Sequence, residues 1–254
     1  MLFELETVGG PLGRRLAHRR ESVAGFAWDE LAREAKEPAA SDARIVWTQS
    51  AFSEYASAAS FAEIASGLLA VGAPIDLSAT AGDFVVDEIF HAELSARVAM
   101  ALGGAVPLEV DLERLVRPPS STDALVRVAE LVVRTSCVGE SLTVAVLRAS
   151  RETARTSVVA DVIARIVRDE AEHAELGWTF LDWADDRLSD VDRAHLGRIA
   201  GAAVSSFAPL FTRQCAGTGT LGVMSCDAFD AVFAEALIHR VETPLRERGI
   251  SLRQ

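Results

Sequence analysis

The chain is short of the residues that staple small folds or clip them with zinc. Its 254 residues hold three cysteines, Cys137, Cys215 and Cys226, and no two stand as Cys-x-x-Cys. That spacing excludes a zinc ribbon, a rubredoxin-type iron site and a thioredoxin motif. With an odd count and no framework, the thiols are expected to be reduced, as in the cytosol. Tyrosine occurs once, at Tyr55. Glycine and proline are sparse inside the long periodic stretches, which favours helices, and no segment reads as a strand. Basic residues are in deficit, 25 against 37 acidic, for a net charge of −12. Such a surface repels phosphate backbones and anionic lipid, so nucleic acid is not an expected partner. No apolar run reaches membrane-spanning length before a charge breaks it. The start, Met1 to Glu6, has neither the basic residues nor the apolar run of a signal peptide. The expectation is a cytoplasmic protein with no membrane partner. Half of its residues are hydrophobic, enough to bury a sizeable core without staples.

The long periodic stretches predict helices separated by clear breakers. Residues 1–40 carry a loop signal, Gly9-Gly10-Pro11-Leu12-Gly13. A basic cluster of Arg14, Arg15, Arg19 and Arg20 reads as a solvated or locally paired face. A short helix is expected from Trp28 to Lys36. Ser41 reads as the N-cap of the first long helix, whose stripe runs Trp47, Ala51, Glu54, Ala58, Phe61, Ala65 and Leu68. Gly72-Ala73-Pro74 ends it. The second helix spans about Ile75 to Leu102 and aligns Phe84, Glu88, His91, Ser95 and Val98. The stretch 103–121 is long for a turn and suits a crossover. A third helix is expected from Asp123 to Arg151 and a fourth from Ser157 to Arg187. A fifth is expected from about Asp190 to Cys215. After a Gly-rich loop at 217–222, which lacks the Lys-Ser/Thr of a phosphate-binding loop, a sixth is expected from Cys226 to Arg248. The predicted fold is all-α, one domain over residues 1–254. Its centre is a four-helix bundle at about 41–187 with one long crossover, the ferritin-like arrangement. N-terminal helices and C-terminal helices at about 190–249 are expected to cover the bundle or make an oligomer contact such as a homodimer.

Six side chains interrupt these apolar stripes. Glu88 and His91 stand three residues apart, as do Glu170 and His173, which places each pair on one helix face about 60° and 4.5 Å apart. A lone glutamate, Glu54 or Glu140, lies about thirty residues upstream of each pair. Counted from the two turns, all six fall at one level of an antiparallel bundle to within about one helical turn. Four carboxylates in an apolar interior repel one another and are costly to bury. Two divalent cations among them make the charge balance. Carboxylate with imidazole suits iron or manganese, and a glutamate from each of two helices with Glu-x-x-His from the other two is a di-metal ligand set. Glu63 is an alternative to Glu54 with a less balanced spacing. Glu93, Glu172 and Glu175 are expected at the solvent or in ion pairs. His18, His195 and His239 read as surface or core histidines, and Tyr55, Trp178 and Cys137 as packing residues.

The constellation resembles the ferritin-like di-iron carboxylate superfamily, and within it uncharacterised bacterial ferritin-like domain proteins. The likeness rests on Ser53 to Phe61, Gly72-Ala73-Pro74, Asp87-Glu88-Ile89-Phe90-His91-Ala92, Cys137-Val138-Gly139-Glu140 and Asp169 to Leu176. It covers about residues 41–186 and favours Glu54 over Glu63. The resemblance implies that Asp87 and Asp169 hold His173 and His91 from outside the ligand shell. In many relatives an arginine precedes each ligand histidine; here Phe90 and Glu172 stand there. It also implies two iron ions, with manganese as the other candidate, and O2 as co-substrate. The implied function is an O2-activating oxidoreductase, a monooxygenase or oxidase, that hydroxylates, N-oxygenates or desaturates a small organic substrate. No reductase module is visible, so electrons would come from an external donor or from the substrate. The alternative is a ferroxidase of iron storage or detoxification.

Overall fold

The computed structural model describes residues 1–20, 22–34, 39–154, 157–212, 215 and 221–252. These residues are all-helical: α1 (Gly10–Ala17), α2 (Trp28–Glu34), α3 (Ala39–Ala70), α4 (Ile75–Ala101), α5 (Ala124–Val132), α6 (Ser141–Thr153), α7 (Ser157–Trp183), α8 (Asp190–Thr212), α9 (Cys226–Ala236) and α10 (Thr243–Glu247). The one β pairing among them is an isolated bridge, Leu2 with Glu109. It ties the N-terminus to the long connection between α4 and α5, where Val110 N–H also donates to Met1 O at 2.8 Å. Among the described residues no helix is long and apolar enough to cross a membrane.

The predicted breakers stand where the chain turns. α3 folds back on α4 through residues 71–74, and the two pack along most of their length. Asp123 caps α5 by accepting from Val126 N–H at 3.0 Å, which satisfies one of the free donors of the first turn. Ser41 is not a cap, because α3 already begins at Ala39. Residues 35–38, where the short helix was expected to stop, lie outside the described residues, as does most of the Gly-rich loop at 217–222. α7 ends at Trp183 and gives way to a single 3-10 turn, Asp185–Arg187.

The third predicted helix departs from expectation in its middle. α5 and α6 are two ends of one rod, joined by an eight-residue π segment, Val133–Glu140. Its hydrogen bonds reach one residue further than in an α-helix. Ser141 shows the shift, sending its backbone N–H and, at 3.2 Å, its hydroxyl to Ser136 O. Val, Ser, Cys and Gly fit either ladder, so residue type alone gives no warning. A second π segment, Leu237–Glu242, precedes Pro244. Proline has no N–H to continue an α ladder, and the shift absorbs that loss.

The cysteine reading is corrected. Cys215 and Cys226 form a disulfide, with Cα atoms 4.9 Å apart, and Cys137 is the free, buried thiol. The pair stands eleven residues apart around a loop, a spacing that belongs to no motif. The premise of reduced thiols behind the cytosolic expectation therefore does not hold.

α4 packs on α7, α7 on α6 and the π segment, and α3 on α5. α8 lies against the π segment and α9 against α6. Two apolar cores result. One includes Phe61, Phe84, Leu142 and Phe180; the other includes Trp47, Phe90, Leu94, Ile163 and Ile166. A polar layer lies between them. Outside that layer, buried Glu130 pins the long connection in place. It accepts from Ser120 N–H at 2.7 Å, Ser121 N–H at 2.8 Å and His195 Nε2 at 2.9 Å. Burial alone would raise its pKa, but these donors hold it below the usual carboxylate range.

Candidate metal centre

Each of the six interrupting side chains enters the polar layer from a different place on the helices. Glu54 comes from α3, Glu88 and His91 from α4, Glu140 from the last residue of the π segment, and Glu170 and His173 from α7. Glu88, His91, Glu170 and His173 are 0 % exposed; Glu140 and Glu54 are 4 % and 9 % exposed. Ligand atoms of Glu54, Glu88, His91 and Glu170 all lie within 4.8 Å of one another. Glu63, the alternative to Glu54, is exposed, as are Glu172 and Glu175.

Two carboxylates each reach both histidines. Glu170 Oε1 is 3.1 Å from His91 Nδ1, and its Oε2 is 3.1 Å from His173 Nδ1. Glu88 Oε1 is 3.0 Å from His173 Nδ1 and its Oε2 is 3.8 Å from His91 Nδ1. Glu54 Oε2 stands 4.0 Å from His91 Nδ1. Glu140 faces Glu170, Glu88 and His173, and Ser57 Oγ donates to its Oε1 at 3.3 Å.

The outer nitrogens of the two rings differ. His91 Nε2 donates to Asp169 Oδ2 at 2.9 Å, and Arg165, one turn earlier on α7, pairs with the same carboxylate. Asp169 therefore keeps a proton on Nε2 and leaves Nδ1 as the side a cation would take. His173 Nε2 is 3.8 Å from Asp87 Oδ2, too far for a hydrogen bond, and has no partner. The contact implied for Asp169 is thus present, and that for Asp87 is incomplete. His173 is instead caged by rings, with Phe84 at 4.1 Å and Phe61 at 5.2 Å between centroids. Guanidinium groups reach the His91 side of the layer from outside the two Glu-x-x-His motifs. Arg20 and Arg165 lie over the Phe90 ring at 5.2 and 5.1 Å, and Arg20 pairs with Glu93.

Protonation follows from burial and crowding. Burial raises Glu54 and Glu140 well above the ordinary carboxylate range, and the charges of Glu170 and Glu88 push the same way. For His91 burial opposes the charged ring. The Glu170 hydrogen bond and the charges of Glu170 and Glu88 overcome it and push the ring up to about 10. His173 also rises well above its usual value against its burial, led by the charge of Glu170. Glu170 itself is lowered, because the two imidazoles outweigh its burial. Cys137 is pushed up by burial and takes no part in the ligand set.

The donor set fits a pair of divalent cations. Both Glu88 oxygens are buried without a hydrogen-bond donor, the His173 contact being out of line for one. A buried carboxylate costs several kcal/mol (about 3–5) unless a charge faces it; the charged rings of His91 and His173 face Glu88 here, and once those rings are neutral a cation must take their place. Oxygen and imidazole donors without thiolate suit iron or manganese. Four carboxylates, two neutral imidazoles and two M2+ ions sum to zero charge.

Two contacts were missed in the sequence although signals existed. Ser57 stands three residues after Glu54, on the same face. Arg165 stands four before Asp169, the spacing of a helical ion pair. The Phe61 and Phe84 cage around His173 read only as core. Comparison with protein-family models, curated proteins and solved structures gives no match.

Proposed function

We propose that the chain is a ferritin-like, non-haem di-iron oxidoreductase that uses O2 to oxidise a small organic substrate by hydroxylation, N-oxygenation or desaturation. One observation carries the reading. Glu88 and Glu170 each reach both histidine Nδ1 atoms inside a buried layer, so both carboxylates would be available to a pair of cations held there. Glu54 with His91 would hold one cation, and Glu140 with His173 the other. Iron held there supplies O2 binding and the change of oxidation state.

The chain's own residues do the rest. The four carboxylates neutralise the cations and the apolar cores on both sides exclude water. Asp169, braced by Arg165, fixes the His91 ring and keeps its outer proton in place. Ser57 orients Glu140. Electrons come from an external donor or from the substrate.

Anaerobic loading with Fe(II) tests the proposal. About two irons per chain are expected, followed on O2 addition by a coloured species whose decay speeds up with a candidate substrate. A chain that binds no iron refutes the metal reading. Hundreds of irons in a large shell would mark storage instead of oxygenation.

A further inference from the structure

A small chamber of about 40 Å³ adjoins the layer on its Glu54 side. Trp47, Glu54, Ser95, Ser150, Met224 and Phe229 are among its walls. Ser95 stands one turn after His91 on α4 and is 0 % exposed. Its hydroxyl has no hydrogen-bond partner. A mid-helix serine or threonine usually returns its hydroxyl to the carbonyl four residues back. Thr48 does so to Arg44 O at 2.7 Å, and Ser60 to Ala56 O at 3.1 Å. Ser95 does not, so a donor is left facing a chamber that also borders a candidate metal ligand.

The roof of the chamber is built, not incidental. Leu221 O accepts from Trp47 Nε1 at 3.0 Å. Gly222 has φ +76°, and a Cβ there would stand 2.7 Å from Ile163 Cδ1 and 2.8 Å from Val159 Cγ1. Only glycine lets this segment press so closely onto α7. The Cys215–Cys226 disulfide closes the chain around it.

Size limits the occupant. One water needs roughly 10–15 Å³ of such space, so the chamber holds on the order of three water-sized centres. Organic ligands occupy sites of about 300–1,000 Å³. We propose that this chamber is the subsite for a di- or triatomic ligand that accepts a hydrogen bond, dioxygen in the reaction. Ser95 Oγ is its donor, Met224 forms its roof, and the organic substrate is kept out on this side. The proposal rests on the di-iron reading.

The test uses the full chain loaded with iron, with azide on the oxidised form and nitric oxide on the reduced form. Iron per chain is measured for every variant. Ser95→Ala should keep wild-type iron, weaken azide roughly fivefold, the value of one hydrogen bond, and shift the N–O stretch of bound nitric oxide. Ser95→Thr, which retains the hydroxyl, should restore the wild-type stretch. Met224→Ala should admit butyrate, which the wild type excludes. Unchanged azide affinity and stretch in Ser95→Ala at full iron loading overturn the subsite and leave the di-iron site standing. Continued exclusion of butyrate by iron-loaded Met224→Ala overturns the roof. A wild type that takes up no iron overturns both readings.

Discussion

Adding Fe(II) to the layer displaces the protons that neutralise it, and the geometry sets their number. Glu54 and Glu140 are held toward the acid form, and His91 and His173 toward the charged ring. Cations occupying these carboxylates and the two Nδ1 atoms must expel those protons. Up to four leave for each pair of irons where the raised groups still hold their protons. The sign is fixed. A raised group keeps its proton until pH climbs through the raised value, so protons compete best at low pH and affinity grows as pH rises. Each displaced proton is worth tenfold per pH unit, about 1.4 kcal/mol. Four together change the overall two-metal constant by about ten-thousandfold, or roughly 5 kcal/mol, per pH unit. Calorimetric titration at about pH 6 in two buffers of different ionisation enthalpy counts the protons. Glu54→Gln and Glu140→Gln should each lower the count by one, because an amide has no such proton to lose. Release of one proton or fewer per iron pair would refute the reasoning.

Other expectations follow from particular contacts. Gly177 on α7 faces the π segment, where a Cβ would stand 2.7 Å from Cys137 Sγ and 2.8 Å from Ser136 Cβ. Gly177→Ala should destabilise the fold by about 1–3 kcal/mol through overpacking; an unchanged Tm would contradict that close approach. Asp169→Asn removes the charge that holds the His91 ring and should weaken iron binding about 10–100-fold, measured by competition with a chelator. For chelator-stripped protein, stability should fall as pH rises. His91 is raised from 6.5 to about 10, so its contribution is complete below 6.5 and disappears through 10. Glu54 and Glu140, raised above 4.5, lose stability in the same direction once the unfolded carboxylates ionise. Thermal unfolding across this range should show a falling Tm that iron loading suppresses.

Acids placed on apolar stripes make the layer legible in the sequence. Glu54 on Trp47's stripe and Glu88 on Phe84's contradict their neighbours unless something charged meets them, and the fold does bring all six side chains together. The bounds of α4 were readable for a similarly local reason, a breaker at each end. Features that depend on distant packing were not. Leu221 reaches Trp47 across the whole length of the bundle sequence, and Cys215 meets Cys226 around a loop. The π segment stayed hidden because its residues favour neither ladder. Asp87 and Asp169 stand alike in the sequence, yet only Asp169 is close enough to bond a ring, with Arg165 beside it.

The shifted ladder at Val133–Glu140 holds a surplus of chain. Each π turn takes in about one residue more than an α turn. Wound as a regular α-helix with every residue kept, the segment would turn further, and one end would swing relative to the other by on the order of 100°. The buried face of α5, the acid at 140 and the buried face of α6 could then no longer all keep their places. Losing one residue here cancels that surplus, so a single-codon deletion is easier to absorb in this segment than in the regular helix on either side of it.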